Sequence, residues 1–146
     1  MLRTGLRMTE IQRPLPKPTP ETRHFWDGCR EGELRLQRCT ECANTWFPPR
    51  PFCPACACRE VEVYKASGKA KLHSYIISHR PHPGFGTDPY AIAVVKLEEG
   101  VQMMSNIVDC PQTPEALVLD MPLEVTFEPQ EKDETIHIPL FKPAKA

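Results

Sequence analysis

Four cysteines constrain this chain more than any other feature. Cys39-x-x-Cys42 and Cys53-x-x-Cys56 form two knuckles separated by ten residues. Two residues between cysteines let both thiolates of a tight turn reach one ion, and two such turns facing each other build a tetrahedral sulfur cage. A cage with four protein ligands leaves no coordination position for water, so the spacing predicts a structural zinc site that supports the fold and performs no chemistry. Iron fits the same all-sulfur ligand set and stays open as an alternative. Four free thiols at this spacing by coincidence is the bland reading.

The remaining composition narrows the setting. The chain has 146 residues, 40% apolar and 25% charged, the profile of one soluble domain with at most a small appendage. Seventeen prolines argue for turns and short strands and against a helix bundle. A net charge of −1 gives no general attraction to nucleic acid or to a membrane surface. No apolar run approaches the roughly 20 residues that span a bilayer. Met1 to Met8 lacks a signal-peptide core, and translation could start at either methionine. Seven cysteines suit metal binding in a reducing compartment, so the expected location is the cytoplasm.

Along the chain, residues 1–19 read as a proline-rich arm. Pro14, Pro16, Pro18 and Pro20 each pin φ and hold the preceding residue extended, which suits a segment lying along a neighbour. Residues 20–66 read as a helix plus ribbon. Thr19-Pro20-Glu21 opens the helix, which runs through Phe25, Trp26 and Cys29 and stops at Gly32. Phe25, Trp26 and Cys29 share one face, available either to the chain's own ribbon or to a partner subunit. Leu34 and Leu36 alternate with Arg35 and Gln37 as a strand into the first knuckle. Trp46 to Phe52 is aromatic and proline-rich, too large a surface for the ribbon to cover alone, so part of it is a candidate interface.

Residues 67–146 read as a barrel with a C-terminal tail. Strands are expected over Val61–Tyr64, Leu72–Ser78, Tyr90–Leu97, Val101–Val108, Leu123–Phe127 and Thr135–Leu140, with a short helix over Ala116–Leu119. Tyr90–Leu97 is almost uninterrupted in apolar residues and is expected to be buried on both faces. Three strands, a helix and two strands fit a closed OB-fold barrel. The fold class is therefore mainly β: an N-terminal helix and rubredoxin-like zinc ribbon, then a five-stranded OB-fold barrel.

Several of these residues together are similar to a known family. Phe25-Trp26, Gly32-Glu33-Leu34, Gln37-Arg38-Cys39-x-x-Cys42, Phe47-Pro48-Pro49-Arg50 and Cys53-Pro54-x-Cys56 resemble the bacterial and archaeal zinc-ribbon plus OB-fold proteins associated with acyl-CoA enzymes. The likeness continues through Pro89-Tyr90, Leu97-Glu98-Glu99-Gly100, Met121-Pro122-Leu123-Glu124-Val125 and Pro139-Leu140-Phe141-Lys142-Pro143, so it covers about residues 20 to 143. Ala43 departs from the glycine that tends to follow the first knuckle, and Ala70 from a Gly-x-Gly-like turn. The resemblance implies an accessory subunit that docks on a thiolase-like enzyme and stabilises it, sometimes together with a hydratase subunit, and that helps to place an acyl-CoA. Partner activities in the family include acyl-CoA condensation or cleavage and retro-aldol removal of steroid side chains. The family supplies no catalytic residue to carry onto this chain.

Partner-facing or acyl-CoA-facing candidates are Phe25, Trp26, Phe47 and Arg50 in the first half, and His79, Arg80, His82 and Phe85 in the loop before the apolar strand. In that loop Arg80 could pair with a phosphate and Phe85 could cover apolar substrate; the bland reading is an exposed, proline-stiffened connection. Cys29, Cys58 and Cys110 lie outside the cage and outside any nucleophile motif, so they read as bystander thiols. Two other functional classes remain in view. A single-stranded nucleic-acid binder would need a basic groove with stacking aromatics, which the strands scarcely offer. A free-standing enzyme would need an acid-base pair, an open metal site or a nucleophile, and none is apparent.

Overall fold

The computed structural model describes residues 13–80, 82 and 84–145. Most of the proline arm, residues 1–12, lies outside the described residues. One helix, α1 (Arg23–Arg30), precedes β1 (Arg35–Cys39), β2 (Thr45–Trp46) and β3 (Val61–Lys65). Then come β4 (Lys69–Ser78), β5 (Tyr90–Leu97), β6 (Gln102–Asn106), β7 (Pro122–Gln130) and β8 (Asp133–Pro143). No helix among the described residues is long and apolar enough to cross a membrane.

The helix starts later than Thr19-Pro20-Glu21 suggests. The Thr19 carbonyl accepts from the Thr22 and Arg23 amides, so a single turn precedes α1, and Thr22 gives no side-chain cap. Its end is as expected: Gly32 takes φ 78°, and Glu33 N–H donates back to the Gly28 carbonyl at 2.8 Å. That back-bond satisfies a carbonyl the last turn would leave orphaned.

In the ribbon, β1 is the central strand of a three-stranded antiparallel sheet ordered β2-β1-β3. Both of its edges are therefore paired. Leu36 faces the main core, and Gln37, expected outward, is 7% exposed beside its β2 partner Trp46. In the barrel, a five-stranded sheet runs β6-β5-β4-β7-β8. It nearly closes, because Ile107 bridges Phe141 in parallel and Val108 N–H donates to the Phe141 carbonyl at 2.8 Å. This is the OB-fold order. Gly68 makes the ribbon-to-barrel turn at φ 79°, where a Cβ would lie 2.8 Å from Val125 Cγ1, so only glycine fits there without strain.

Two expectations are corrected. Ala116–Leu119 is not a helix. One turn forms, with Ala116 and Leu117 N–H donating to the Thr113 carbonyl, and then the chain reverses at Asp120, φ 65°. That reversal drops Leu117 into the core at 1% exposure and lets Asp120 N–H pair with the Leu72 carbonyl. Nor is β5 buried on both faces. Ala91, Ala93, Val95 and Leu97 are buried, while Tyr90, Ile92 and Val94 are half-exposed and Lys96 is exposed. The barrel is antiparallel and, among the described residues, carries no layer on that outer side, so only one face of an apolar strand finds cover.

The main core mixes both halves of the chain. Phe25 and Cys29 of α1 and Leu34 and Leu36 of the ribbon belong to the same buried cluster as Leu72, Val95, Leu97, Leu123 and Phe141. A second, small cluster of Cys39, Trp46 and Cys53 packs at the knuckles. Each large apolar side chain removed from water contributes roughly 1.5–3 kcal/mol. The face of α1 is thus committed to its own chain, where it packs against β1, β7 and β8.

Candidate metal centre and apolar groove

Each knuckle is a turn whose last residue lies in left-handed space. Ala43 has φ 57° and donates its N–H to the Cys39 carbonyl at 3.1 Å; Ala57 has φ 61° and donates to the Cys53 carbonyl at 2.9 Å. These bends bring the four sulfurs of Cys39, Cys42, Cys53 and Cys56 within 4.8 Å of one another. Cys39 Sγ stands 3.6 Å from Cys56 Sγ, and Cys42 Sγ stands 3.6 Å from Cys53 Sγ. A tetrahedral cage with metal–sulfur bonds of about 2.3 Å needs edges of about 3.8 Å. The donor set fits a divalent ion.

The electrostatics point the same way. Burial pushes the Cys53 thiol up, but the Cys56 and Ala55 amides and the Cys42 and Cys56 thiols outweigh it and hold it down at about 6. Cys56 is pushed up to about 12, because the Cys39 and Cys42 sulfurs beside it oppose the Cys58 amide that favours its thiolate. Thiolates this close repel, and only a cation lets all four ionise together. Asn44 Nδ2 and Ala55 N–H both point at Cys53 Sγ, at 3.9 and 3.4 Å, and orient that ligand. Cys58 lies outside the cluster, where its sulfur accepts from Glu60 N–H at 3.3 Å.

Beneath the second strand of the ribbon sits a group that sequence reasoning passed over. Gln37 Oε1 accepts from Trp46 Nε1 at 2.9 Å and from Arg50 N–H at 2.7 Å. One buried amide therefore ties Trp46 and Arg50 together within the aromatic stretch between the knuckles. An alternating strand pattern gives no hint of it.

The candidate contact residues separate into two groups. Phe25, Trp26, Phe47 and Phe85 come together along one groove of about 370 Å³, completed by Tyr90, Ile92, Met103 and Met104 and by Ile138, Pro139 and Leu140 of β8. Phe25 is only 3% exposed, so it is mainly a core residue that reaches the groove; its ring meets Trp26 at 5.0 Å and Phe47 at 5.2 Å. Arg50, His79, Arg80 and His82 are exposed and do not line the groove. His82 instead meets the Phe85 ring edge-on at 5.7 Å. The arginine that reaches Phe85 is Arg13, from the arm, whose guanidinium lies 4.2 Å above the ring. On its other side Phe85 stacks on Tyr90 at 4.9 Å. Beyond Phe85 a smaller cavity of about 280 Å³ includes Arg13, Asn106, Asp109, Gln112 and Glu128.

Cys29 and Cys110, outside the cage, are held protonated. Burial drives Cys29 up to about 12, and burial with the neighbouring Asp109 carboxylate raises Cys110.

Residues 26–62 match the rubredoxin-like zinc ribbon domain of ChsH2, and residues 63–128 match its C-terminal OB-fold domain. A DUF35 domain-containing scaffold protein of Pyrococcus furiosus is 35% identical over 81% of this chain and 86% of its own length. The chain belongs to the DUF35 family. Among solved structures, this DUF35 chain is similar to one described as the Ltp2-ChsH2(DUF35) aldolase, with a TM-score of 0.75 and 30% identity over 89% of this chain and 99% of that one. A probable enoyl-CoA hydratase alpha subunit of Thermomonospora curvata is 32% identical over 90% of this chain, which spans 40% of that relative's length.

Proposed function

We propose that this DUF35 chain is a non-catalytic scaffold subunit that docks on a thiolase-fold acyl-CoA enzyme and stabilises it. The sharpest form of the proposal is a retro-aldolase acting in steroid side-chain degradation. The likeness to the DUF35 chain of a solved aldolase, over 99% of that chain, carries the reading. The site chemistry supports it. Cys39, Cys42, Cys53 and Cys56 would hold zinc with all four positions filled, so the ion stiffens the ribbon and offers no Lewis-acid site. Cys29 and Cys110 are held as thiols, far from nucleophilic form. An open apolar groove of this size suits a docked polypeptide or the tail of an acyl-CoA better than it suits acid-base chemistry. Free cysteines and an all-sulfur cage suit a reducing compartment, which supports the cytoplasm as the proposed location.

Co-expression with a thiolase-like protein from the same organism, followed by size-exclusion chromatography, tests the proposal. A stable heteromer with aldol-cleavage activity that neither subunit shows alone is the expected result. A chain that stays apart from that protein would sink the idea. The name carried by the longer Thermomonospora curvata relative favours a hydratase subunit as a second partner, so the same experiment includes one as a separate arm.

A further inference from the structure

The outward face of β4, β5 and β6 has an order that the strand register makes explicit. Directly paired residues in an antiparallel sheet put their side chains on the same face. Lys71 pairs with Lys96 and Lys96 with Gln102; Ser74 pairs with Val94 and Val94 with Met104; Ile76 pairs with Ile92 and Ile92 with Asn106. These are three adjacent rows across three strands. The bulge between Leu72 and Ser74 creates the pattern, because one extra residue, His73, switches the alternation of β4. It turns Tyr75 and Ile77 toward the core and Ile76 out to 62% exposure. Met104, one row away, is 70% exposed.

The face thus has an apolar centre of Ile76, Ile92, Val94 and Met104 and a cationic border of Lys71 and Lys96. Two like charges directly opposite each other are unfavourable in a sheet. Neither lysine has an ion-pair partner among the described residues, whereas Lys65 and Lys142 each have one. Ile92, Met104 and Asn106 also line the groove, so face and groove form one surface. Three strands by three rows cover roughly 10 by 14 Å, enough for the centre of an interface that buries about 800 Å² per partner, with the groove supplying the remainder.

We propose that this outward β4-β5-β6 face is where the thiolase-fold subunit seats, and that the subunit presents to it an apolar patch bordered by carboxylates. The inference rests on the scaffold reading and names the surface that reading requires. Unpaired lysines at the border call for an acidic counterpart, and an exposed methionine adapts to an apolar one. Aliphatic side chains at the centre and a chain of net charge −1 favour a protein over a nucleic-acid strand, which stacks its bases on aromatics.

Four variants test it against the same co-expressed thiolase-like protein: Met104→Glu, Ile76→Glu, the double change Lys71→Glu with Lys96→Glu, and a control, Val118→Glu with Leu119→Glu, on the exposed β6–β7 connection. Melting temperature and bound zinc report that each variant folds. Met104→Glu and Ile76→Glu should each weaken the complex about tenfold or more. The lysine reversal should weaken it about tenfold at low salt and flatten its salt dependence, with the control unchanged. If the wild-type complex forms and the face variants bind as tightly, the face is wrong and the scaffold reading stands. Loss of binding only in the control would move the seat to residues 118–119. Binding of a labelled thymidine oligomer that the lysine reversal abolishes would overturn the protein partner in favour of nucleic acid. If the wild type forms no complex, both readings fall.

Discussion

Gln37 and Trp46 face each other across β1 and β2, and the Gln37 amide oxygen accepts the indole N–H at 2.9 Å. The same oxygen takes the Arg50 amide at 2.7 Å. A side chain 7% exposed with two donors on one oxygen organises the stretch between the knuckles. Gln37→Leu keeps the volume and removes the acceptor, leaving two donors to find water in a covered site. It should cost about 1–3 kcal/mol, read as a shift in the denaturant midpoint with the metal still bound.

The sulfur cage contributes folding energy directly, because its ligands converge only in the folded ribbon. Cys39→Ser should lose the ion, and a strong chelator should unfold the wild-type ribbon while the variant responds little. Structural zinc supplies about 10–16 kcal/mol of apparent binding energy in small domains at neutral pH, so the loss should exceed any single core substitution. Metal analysis and far-ultraviolet circular dichroism read it; full metal occupancy in the serine variant would reject the ligand set.

Ala43 and Ala57 hold φ near +60°, a conformation that costs an L-residue about 1–2 kcal/mol. Glycine relieves that strain but adds freedom to the unfolded chain, which offsets about half of it. Ala43→Gly and Ala57→Gly should each raise stability by about 0.5–1 kcal/mol, additively, since they stand on separate knuckles. Thermal melts with zinc held constant provide the check.

His24 carries a buried Nε2 with no hydrogen-bond partner among the described residues. Burial, and then the Arg35 guanidinium, hold its pKa below 6.5, while Asp27 opposes them. The unfolded chain therefore takes up a proton before the folded one does. Stability from this group is full above pH 6.5 and falls as the pH drops below it. In His24→Phe the decline in midpoint between pH 7 and pH 5 should be shallower than in the wild type; parallel curves would show that another group sets the slope.

Spacing alone revealed the cage, because ligand geometry permits few alternatives to two Cys-x-x-Cys turns. Alternation and turn residues placed the barrel strands, each within a few residues of where it lies. What stayed hidden depends on distance in sequence. The bulge at His73 decides which way Ile76 points, and no local pattern signals one unpaired residue. Arg13 reaches Phe85 from 72 positions away, a contact that nothing in the loop's own sequence signals. Thr113-Pro114-Glu115 is good helix-opening chemistry, yet anchoring Leu117 and pairing Asp120 with β4 end the turn at once.

Phe25, Cys29, Leu34 and Leu36 sit among the barrel's own interior side chains. The two family units of this chain consequently share one hydrophobic interior and are not interchangeable cassettes. A chimera that takes its ribbon from one relative and its barrel from another would inherit mismatched halves of that interior, and it would fold well only if the helix and the two leucines travelled with the barrel they were shaped against.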